Sequence, residues 1–407
     1  NSINSFDQLS ISMTNQIPTI ILKPGKERAL LRRHPWVYAT GVSKVLGKPK
    51  SGETVRIQDS KGKFLAWGAF SPESALRARC WSFQEEDVID AAWIEARVKA
   101  AIEARSCLRS RTNAIRLIFG EADFLPGLIV DQYNNQVVTQ FQSAGVEYWR
   151  SVIGQALVKY TGCSQVYDRS DAATRAREGL PERKEVLEGE EPPQEVEIVE
   201  DGIKYGVDVR MGHKTGFYVD QRDNRALLRG FARGRRVLNM FCYTGGFSVY
   251  ALSGGAAEVH SVDSSAKAVQ LTDANVALNF GEDAPHRSFA VDAFRYLDEM
   301  PDGAYDLVIL DPPAFAKHRS AIKNALRGYQ RLNARAISKM PSGSILFTFS
   351  CSQAITKEQF RLAVFSAAAQ TGRRVRILHQ LTQPADHPVN IYHPEGEYLK
   401  GLVLYIE

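Results

Sequence analysis

The sequence predicts a mixed α/β chain. A doubly wound, mostly parallel sheet fills the C-terminal half, preceded by a small β-barrel-like module and a central α+β module. Three observations carry this reading. From Arg236 onward, short apolar runs alternate with segments of helical period, the pattern of a parallel sheet covered by helices. From Ile17 to Phe83 the runs are short, rich in β-formers and punctuated by Gly47, Gly52 and Gly62, as in a small all-β unit. Between them, helices and strands follow one another without the regular alternation.

Residues 1–16 are polar and aperiodic; they predict a disordered extension, with Met13 a natural start. Residues 17–85 form the first expected domain, with strands over 19–22, 53–59, 64–70 and 76–83. A short helix over 26–33 ends in Arg32 and Arg33, just before His34-Pro35-Trp36. Ile17 to Phe83 holds 13 Lys/Arg against 4 Asp/Glu, a local excess of positive charge that suits a polyanion. Arg32 and Arg33 are candidate phosphate contacts, and Trp36 or Tyr38 could stack on a base. Trp36, Trp67 and Trp81 also suit a core.

Residues 86–200 form the second expected domain. Ala91, Ile94, Val98 and Ile102 share a helix face within 87–110. Strands follow over 114–119, 127–132 and 137–141, then a helix over 147–160 and a strand over 165–167. The acidic stretch 182–201, with Pro192-Pro193, reads as an exposed loop or hairpin.

Residues 201–407 form the third. After a strand over 203–209, the predicted sheet strands are 237–241, 258–262, 288–291, 305–310, 344–349, 375–380 and 399–405. Helices fit near 247–252, 265–279, 293–300, 318–340 and 356–370. The last two strands lack a helix-length connection, which predicts an antiparallel hairpin at one sheet edge.

Open α/β sheets bind ligands at the carboxyl ends of their strands. Five polar features fall there in register. Asn239 to Gly246 follows the first strand, and Asp263 the second. Asp292 follows the third, Asp311-Pro312-Pro313 the fourth, and Ser350-Cys351-Ser352 the fifth. The first loop is not G-x-G-x-x-G, so a dinucleotide pyrophosphate is a poor match. Met211 to Asn224 is unusually polar for a linker and holds His213, Lys214, Asp220, Gln221 and Arg222. It could close over the ligand or cap helices nearby. His387 and His393 lie in a late loop, 385–396, that borders the expected pocket.

Hydrophobic content of 44% and charged content of 24% are those of a globular protein. No apolar run approaches a membrane span. The five cysteines are scattered with no C-x-x-C pair, which argues against a zinc site or a disulfide framework and for a reduced, cytoplasmic setting.

The five strand-end features resemble a class I S-adenosylmethionine-dependent methyltransferase with a Rossmann-like sheet. The resemblance gives Gly245 and Gly246, with Asn239, Phe241, Tyr243 and Thr244, the methionine part of S-adenosylmethionine (SAM). It gives Asp263 the ribose and Asp292 the adenine, with Asp220 and Gln221 as further cofactor contacts. DPPAF over 311–315 faces the transferable methyl in nucleic-acid and amino-group methyltransferases. Pro312 and Pro313 stiffen that loop, and Phe315 could stack on a base, with Lys214 a further substrate contact. Cys351 suits a nucleophile for C6 of cytosine, because C5 cannot take a methyl until a thiolate turns the ring into an enamine. The helix from Thr356 or nearby cations would favour the thiolate. Asp311 would hold the N3 edge. Cys242 reads as a packing residue.

With KERALLRRHPWV, GHKTGFYVDQRD, FCYTGGFSVYAL, DPPAF, FSCS and ADHPV in place, residues 17–407 resemble the RlmI family of bacterial 23S ribosomal RNA cytosine-C5 methyltransferases. The resemblance implies an N-terminal RNA-binding PUA domain, Cys351 as nucleophile, Asp311 as its partner on the base, large-subunit ribosomal RNA as substrate and no metal. A homodimer is compatible with it. The proline motif has no second cysteine, so product release needs a non-thiol base. Two other readings fit the same residues: methylation of another base position, such as a guanine nitrogen, or a cofactor-binding RNA-assembly factor.

Overall fold

The computed structural model describes residues 17–170, 172–316 and 318–407; the extension expected over 1–16 lies outside them. The first module contains β1 (Thr19–Leu22), α1 (Arg28–Leu31), β2 (Trp36–Tyr38), β3 (Val42–Leu46), β4 (Thr54–Gln58), β5 (Phe64–Phe70) and β6 (Leu76–Ser82). Its strands form one sheet in the order β2-β6-β5-β4-β1-β3. Ile20, Leu22, Val37, Val55, Ile57 and Ala78 fill a core of its own. The sequence did not announce β2 and β3: the first has three residues, and the second (VSKVL) shows only intermediate or exposed side chains, so hydrophobic alternation is weak.

The central module contains α2 (Ala91–Glu103), β7 (Ala114–Phe119), β8 (Leu128–Tyr133), β9 (Gln136–Phe141), α3 (Ala144–Tyr148), α4 (Arg150–Thr161), β10 (Gln165–Ser170), α5 (Ala172–Ala176) and β11 (Arg183–Glu188). The sheet runs β11-β10-β9-β8-β7. Asp90 caps α2 by accepting from the Trp93 amide at 2.9 Å. Two first-module side chains, Ala69 and Trp81, join the central core. The seam is so tight that a Cβ on Gly145 would sit 2.4 Å from the Ala69 methyl carbon.

Of the loop or hairpin expected for the acidic stretch, the hairpin is what forms in its second part, and its first part is also a strand. Its first part is β11, paired with β10. Its second part is β12 (Val196–Glu200), which pairs antiparallel with β13 (Ile203–Val207) across the junction expected at 200/201. Surface Glu residues conceal the alternation of Val196, Ile198 and Glu200, all buried.

The third sheet is built from β14 (Arg236–Met240), β15 (Glu258–Asp263), β16 (His286–Ala290), β17 (Leu307–Leu310), β18 (Ser344–Ser350), β19 (Val375–Leu381) and β20 (Lys400–Ile406). Their order is β16-β15-β14-β17-β18-β20-β19. The first five are parallel; β20 is antiparallel to both β18 and β19, and β19 is the edge. The helices are α6 (Arg222–Phe231), α7 (Gly246–Ser253), α8 (Ala266–Phe280), α9 (Ala293–Glu299), α10 (Ile322–Lys339) and α11 (Lys357–Thr371). Two apolar clusters cover opposite faces, as a doubly wound sheet requires. No helix among the described residues is long and apolar enough to cross a membrane.

The loop 382–399, which leads into β20, touches every part. Asp386 Oδ2 accepts from the Arg116 amide on β7 at 3.1 Å and from Arg222 Nη1 on α6 at 3.0 Å. Asn390 donates to the Glu121 carbonyl at 3.0 Å. Glu395 lies 3.3 Å from His34 Nε2 of the first module, and its carbonyl accepts from Gln353 at 2.8 Å. His34, His393 and Glu395 bring three donor atoms within 4.8 Å of one another. The Trp36 amide donates to His34 Nδ1 at 3.3 Å while His34 Nε2 faces Glu395, so these side chains clasp the loop to the first module.

Candidate active site

A cleft of about 450 Å³ opens at the carboxyl ends of β14, β15, β17 and β18, within the range of small-molecule sites. The loop after β14 forms one wall. Phe241, Tyr243 and Gly245 all have positive φ, at 60°, 50° and 78°. Only glycine takes that geometry without steric cost, so two other residues are held there by their surroundings. Helix α8 does the holding: Thr272 Oγ1 donates to the Tyr243 carbonyl and Asn275 Nδ2 to the Thr244 carbonyl, both at 2.9 Å. A Cβ on Gly245 would approach Thr272 Cγ2 to 2.7 Å. Gly246 begins α7. Asp263, at the end of β15, accepts from the Tyr243 amide at 3.1 Å and the Ser265 amide at 2.9 Å. Cys242 is buried, and desolvation pushes its thiol up to about 12, the inert state of a packing residue.

Asn239 and Asp292 are not among the residues lining this cleft. Asn239 lies inside the parallel sheet, donating to Ser248 at 2.8 Å. Ser248 bonds Ser261, which bonds His286. Asp292 caps α9 through the Arg295 amide at 3.0 Å.

The segment before α6 forms the opposite wall. Tyr243 stacks on His213 at 4.5 Å. Lys214, in a positive-φ conformation, pairs with Asp220, and Tyr398 donates to the same Asp220 oxygen at 2.6 Å. Burial alone would raise the Asp220 carboxyl, but Lys214 and His387 outweigh it and hold the group ionised well below the usual range. Its other oxygen, Oδ1, is buried with no hydrogen-bond partner among the described residues. Gln221 donates through Nε2 to Asp311 Oδ2 at 3.1 Å, and Asn224 fixes the Gln221 carbonyl at 2.6 Å.

Asp311, Pro312, Pro313 and Cys351 close the inner end. Desolvation and the nearby Asp220 charge raise Asp311 to about 7. Cys351 is half-buried, with Sγ 4.0 Å from the Pro312 carbonyl oxygen. Burial first, then Asp311, push its thiol up to about 11, against the pull of Lys214 and Lys400. Of the two aids expected for a thiolate, α11 or nearby cations, the cations are present as Lys214 and Lys400, but burial and Asp311 outweigh them. The first turn of α11 is already engaged by its own capping box, Thr356 with Gln359. Ser350 and Ser352 both bond the Tyr329 hydroxyl, at 2.9 and 3.1 Å, and so pin Cys351 between them. Phe315 packs on Tyr329 with ring centroids 4.6 Å apart and does not line the cleft.

Arg32 and Arg33 lie on the first module, away from the cleft, with Arg33 over the Tyr392 ring at 6.0 Å. Trp81 is buried. Trp36 is tied by Nε1 to Glu121 at 2.8 Å, whereas Tyr38 is 51% exposed. Arg222 is wholly buried in the network with Glu200 and Asp386. Neither His387 nor His393 lines the cleft. Two residues that sequence reasoning missed, Tyr398 and Lys400, sit at the end of the loop and the start of β20; the stretch E-Y-L-K interrupts an apolar strand pattern with a cation, and that interruption is the signal that could have found them.

The donor set suits SAM. The unpartnered, buried Asp220 Oδ1 would accept from an ammonium group, and Asp263 and Lys267, which also line the cleft, would meet a ribose diol and a carboxylate. A model of S-adenosylmethionine-dependent methyltransferases matches residues 174–393, and one of PUA-like domains matches residues 20–83. Ribosomal RNA large subunit methyltransferase I of Tolumonas auensis is 46% identical over 95% of this chain and 98% of its own length. The protein of the same name from Aeromonas hydrophila is 45% identical with the same coverage. Among solved structures, a Streptococcus mutans chain assigned to the SAM-dependent methyltransferases superposes with a TM-score of 0.80 at 22% identity, covering 95% of this chain and 99% of that one. Another, complexed with SAH, gives 0.81 at 22% identity. The chain belongs to the SAM-dependent methyltransferases, in the ribosomal RNA large subunit methyltransferase I family.

Proposed function

We propose that the cleft methylates C5 of a cytosine in large-subunit ribosomal RNA through a covalent Cys351 adduct. The observation that carries this reading is the pairing of a half-buried thiol, Cys351, with a carboxyl raised to about 7, Asp311, at the inner end of the cofactor cleft. A guanine nitrogen acceptor would leave that thiol without a task. The relatives' name supports ribosomal RNA as substrate, and the PUA-like module supports RNA docking.

The proton inventory suits the chemistry. As Sγ adds to C6 of the base, its proton passes to the Asp311 carboxylate, which hands it to N3 as charge builds on the ring. Carbon 5 thereby becomes nucleophilic; bound SAM supplies an electrophilic methyl. Transfer of the C5 proton to solvent water, departure of Sγ with the electron pair of the C6–S bond, and return of the N3 proton through Asp311 to Sγ restore the aromatic ring and the thiol. Gln221 keeps one Asp311 oxygen aimed, and the Tyr329 hydroxyl holds the Cys351 turn still.

RNA carrying 5-fluorocytosine tests this, because fluorine cannot leave C5 as a proton does. The expected result is a denaturation-resistant protein–RNA complex that disappears with Cys351→Ala. Methyl transfer to ordinary RNA with no trapped complex would move the target away from cytosine C5.

A further inference from the structure

Lys400 is a buried cation, 5% exposed, that forms no ion pair among the described residues. Its Nζ donates instead to two backbone carbonyls, Ser352 and Ile355, each at 2.6 Å. Both belong to the turn that follows Cys351. The sheet register sets this up: Ser350, the last residue of β18, pairs directly with Lys400, the first of β20. An ammonium taken out of water with carbonyl dipoles as its only direct partners is costly. The buried arginines of this fold, by contrast, each face a carboxylate: Arg105 has Asp123, Arg116 has Asp131, and Arg222 has Glu200 and Asp386.

The charged and titratable neighbours identify the missing partner. The groups that act on Lys400 are Cys351 first, then Glu397 and Lys357. The latter two are paired with each other. On the other side of Cys351 stand Asp311, Asp220 and Lys214. Lys214 pulls on Cys351 more strongly than Lys400 does, but it is shared with the Asp220 carboxylate, whereas Lys400 has no carboxylate partner among the described residues. Burial lowers its ammonium to about 8, while the influence of Cys351 works to keep it charged.

We propose that Lys400 is the counter-ion of Cys351: a positioning residue that pins the nucleophile's turn through two carbonyls and whose charge is neutralised when the thiolate forms behind Asp311. This rests on the reading of Cys351 as nucleophile.

The test is the pH dependence of Cys351 alkylation by iodoacetamide in the full chain, read by mass spectrometry of the peptide that contains it. Lys400→Gln removes the charge and keeps a donor for one carbonyl; Lys400→Arg keeps the charge. At pH 7, where Lys400 is still charged, Lys400→Gln is expected to slow alkylation about tenfold, and Lys400→Arg to leave the rate near the wild-type value. An unchanged rate in Lys400→Gln, or an equal loss in Lys400→Arg, overturns the proposal. Because Lys400→Gln could fail to fold, the second measurement is the pH profile of alkylation in the wild-type chain: the rate should level off over about one unit as Lys400 loses its proton near pH 8, and an uninterrupted rise through that pH overturns the pairing. Neither readout needs turnover. A slowed alkylation in Lys400→Gln without a trapped 5-fluorocytosine complex would keep the pairing and reject the cytosine chemistry.

Discussion

Gln221 and Asp311, 90 residues apart in sequence, meet through one hydrogen bond of 3.1 Å from the Gln221 amide to the Asp311 carboxylate. The bond ties the segment before α6 to the proline motif after β17 and joins the two walls of the cleft. Gln221→Ala should lower kcat for methyl transfer about tenfold to a hundredfold, the worth of one hydrogen bond to a charged group. SAM affinity, measured by calorimetry, should change less than about threefold. An equal loss in both would make Gln221 a cofactor contact instead.

Asp311 also leaves a mark on stability. Its folded carboxyl titrates near 7, against about 3.9 in an unfolded chain. Between these values the native state binds more protons than the unfolded one, so this group makes stability fall as pH rises from about 4 to 7. Asp311→Asn removes that contribution. Urea unfolding should show the variant stabilised at pH 8 by on the order of 1 kcal/mol and little changed near pH 4, while methyl transfer falls by a factor on the order of 100 or more. Equal stability differences at both pH values would contradict the raised carboxyl.

Tyr329 acts on Cys351 at one remove, through the serines on either side of it. Tyr329→Phe keeps the ring against Phe315 and deletes the hydroxyl shared by Ser350 and Ser352. Stability should drop by about 1–2 kcal/mol. Activity should fall through kcat with KM for RNA nearly constant, since the loss is in how Cys351 is held. A change confined to KM would refute the assignment.

Arg222 is structural, and the expected phenotype differs accordingly. Replacing it with Met leaves Glu200 and Asp386 buried with fewer cations. The cost should be about 3–5 kcal/mol, visible as a large fall in the urea midpoint. Methyl transfer by whatever fraction remains folded should be close to that of the wild type.

Much of the cleft is legible in the amino-acid sequence. The strand-end residues Asp263, Asp311 and Cys351 converge because a parallel sheet lines up its carboxyl ends, a property of topology that alternation alone reveals. Asn239 and Asp292 sit at equivalent places in the pattern but make local bonds, Asn239 to Ser248 inside the sheet and Asp292 through Oδ1 to the first turn of α9. Sequence order places a residue at a strand end but not the direction of its side chain. The roles of Tyr398 and Lys400 were hidden for a different reason, because they depend on β20 lying antiparallel beside β18 and bringing residue 400 opposite residue 350. The acidic stretch left loop and hairpin equally open because its Glu residues decorate two strands whose inward side chains are few; pairing with β10 and β13 decides it.

The loop 382–399 is fastened to His34 of the first module, to Arg116 and Glu121 of the central one, and to Arg222 and Gln353 beside the cleft. Hinging the first module away would therefore mean breaking contacts that also hold the approach to Lys400 and Cys351. The molecule is built like a caliper with fixed jaws: the span from the basic surface to Cys351 is set by the protein. Under the proposed function, an RNA reaching both would have to match that span, and its shape, as much as its bases, would be part of what is selected.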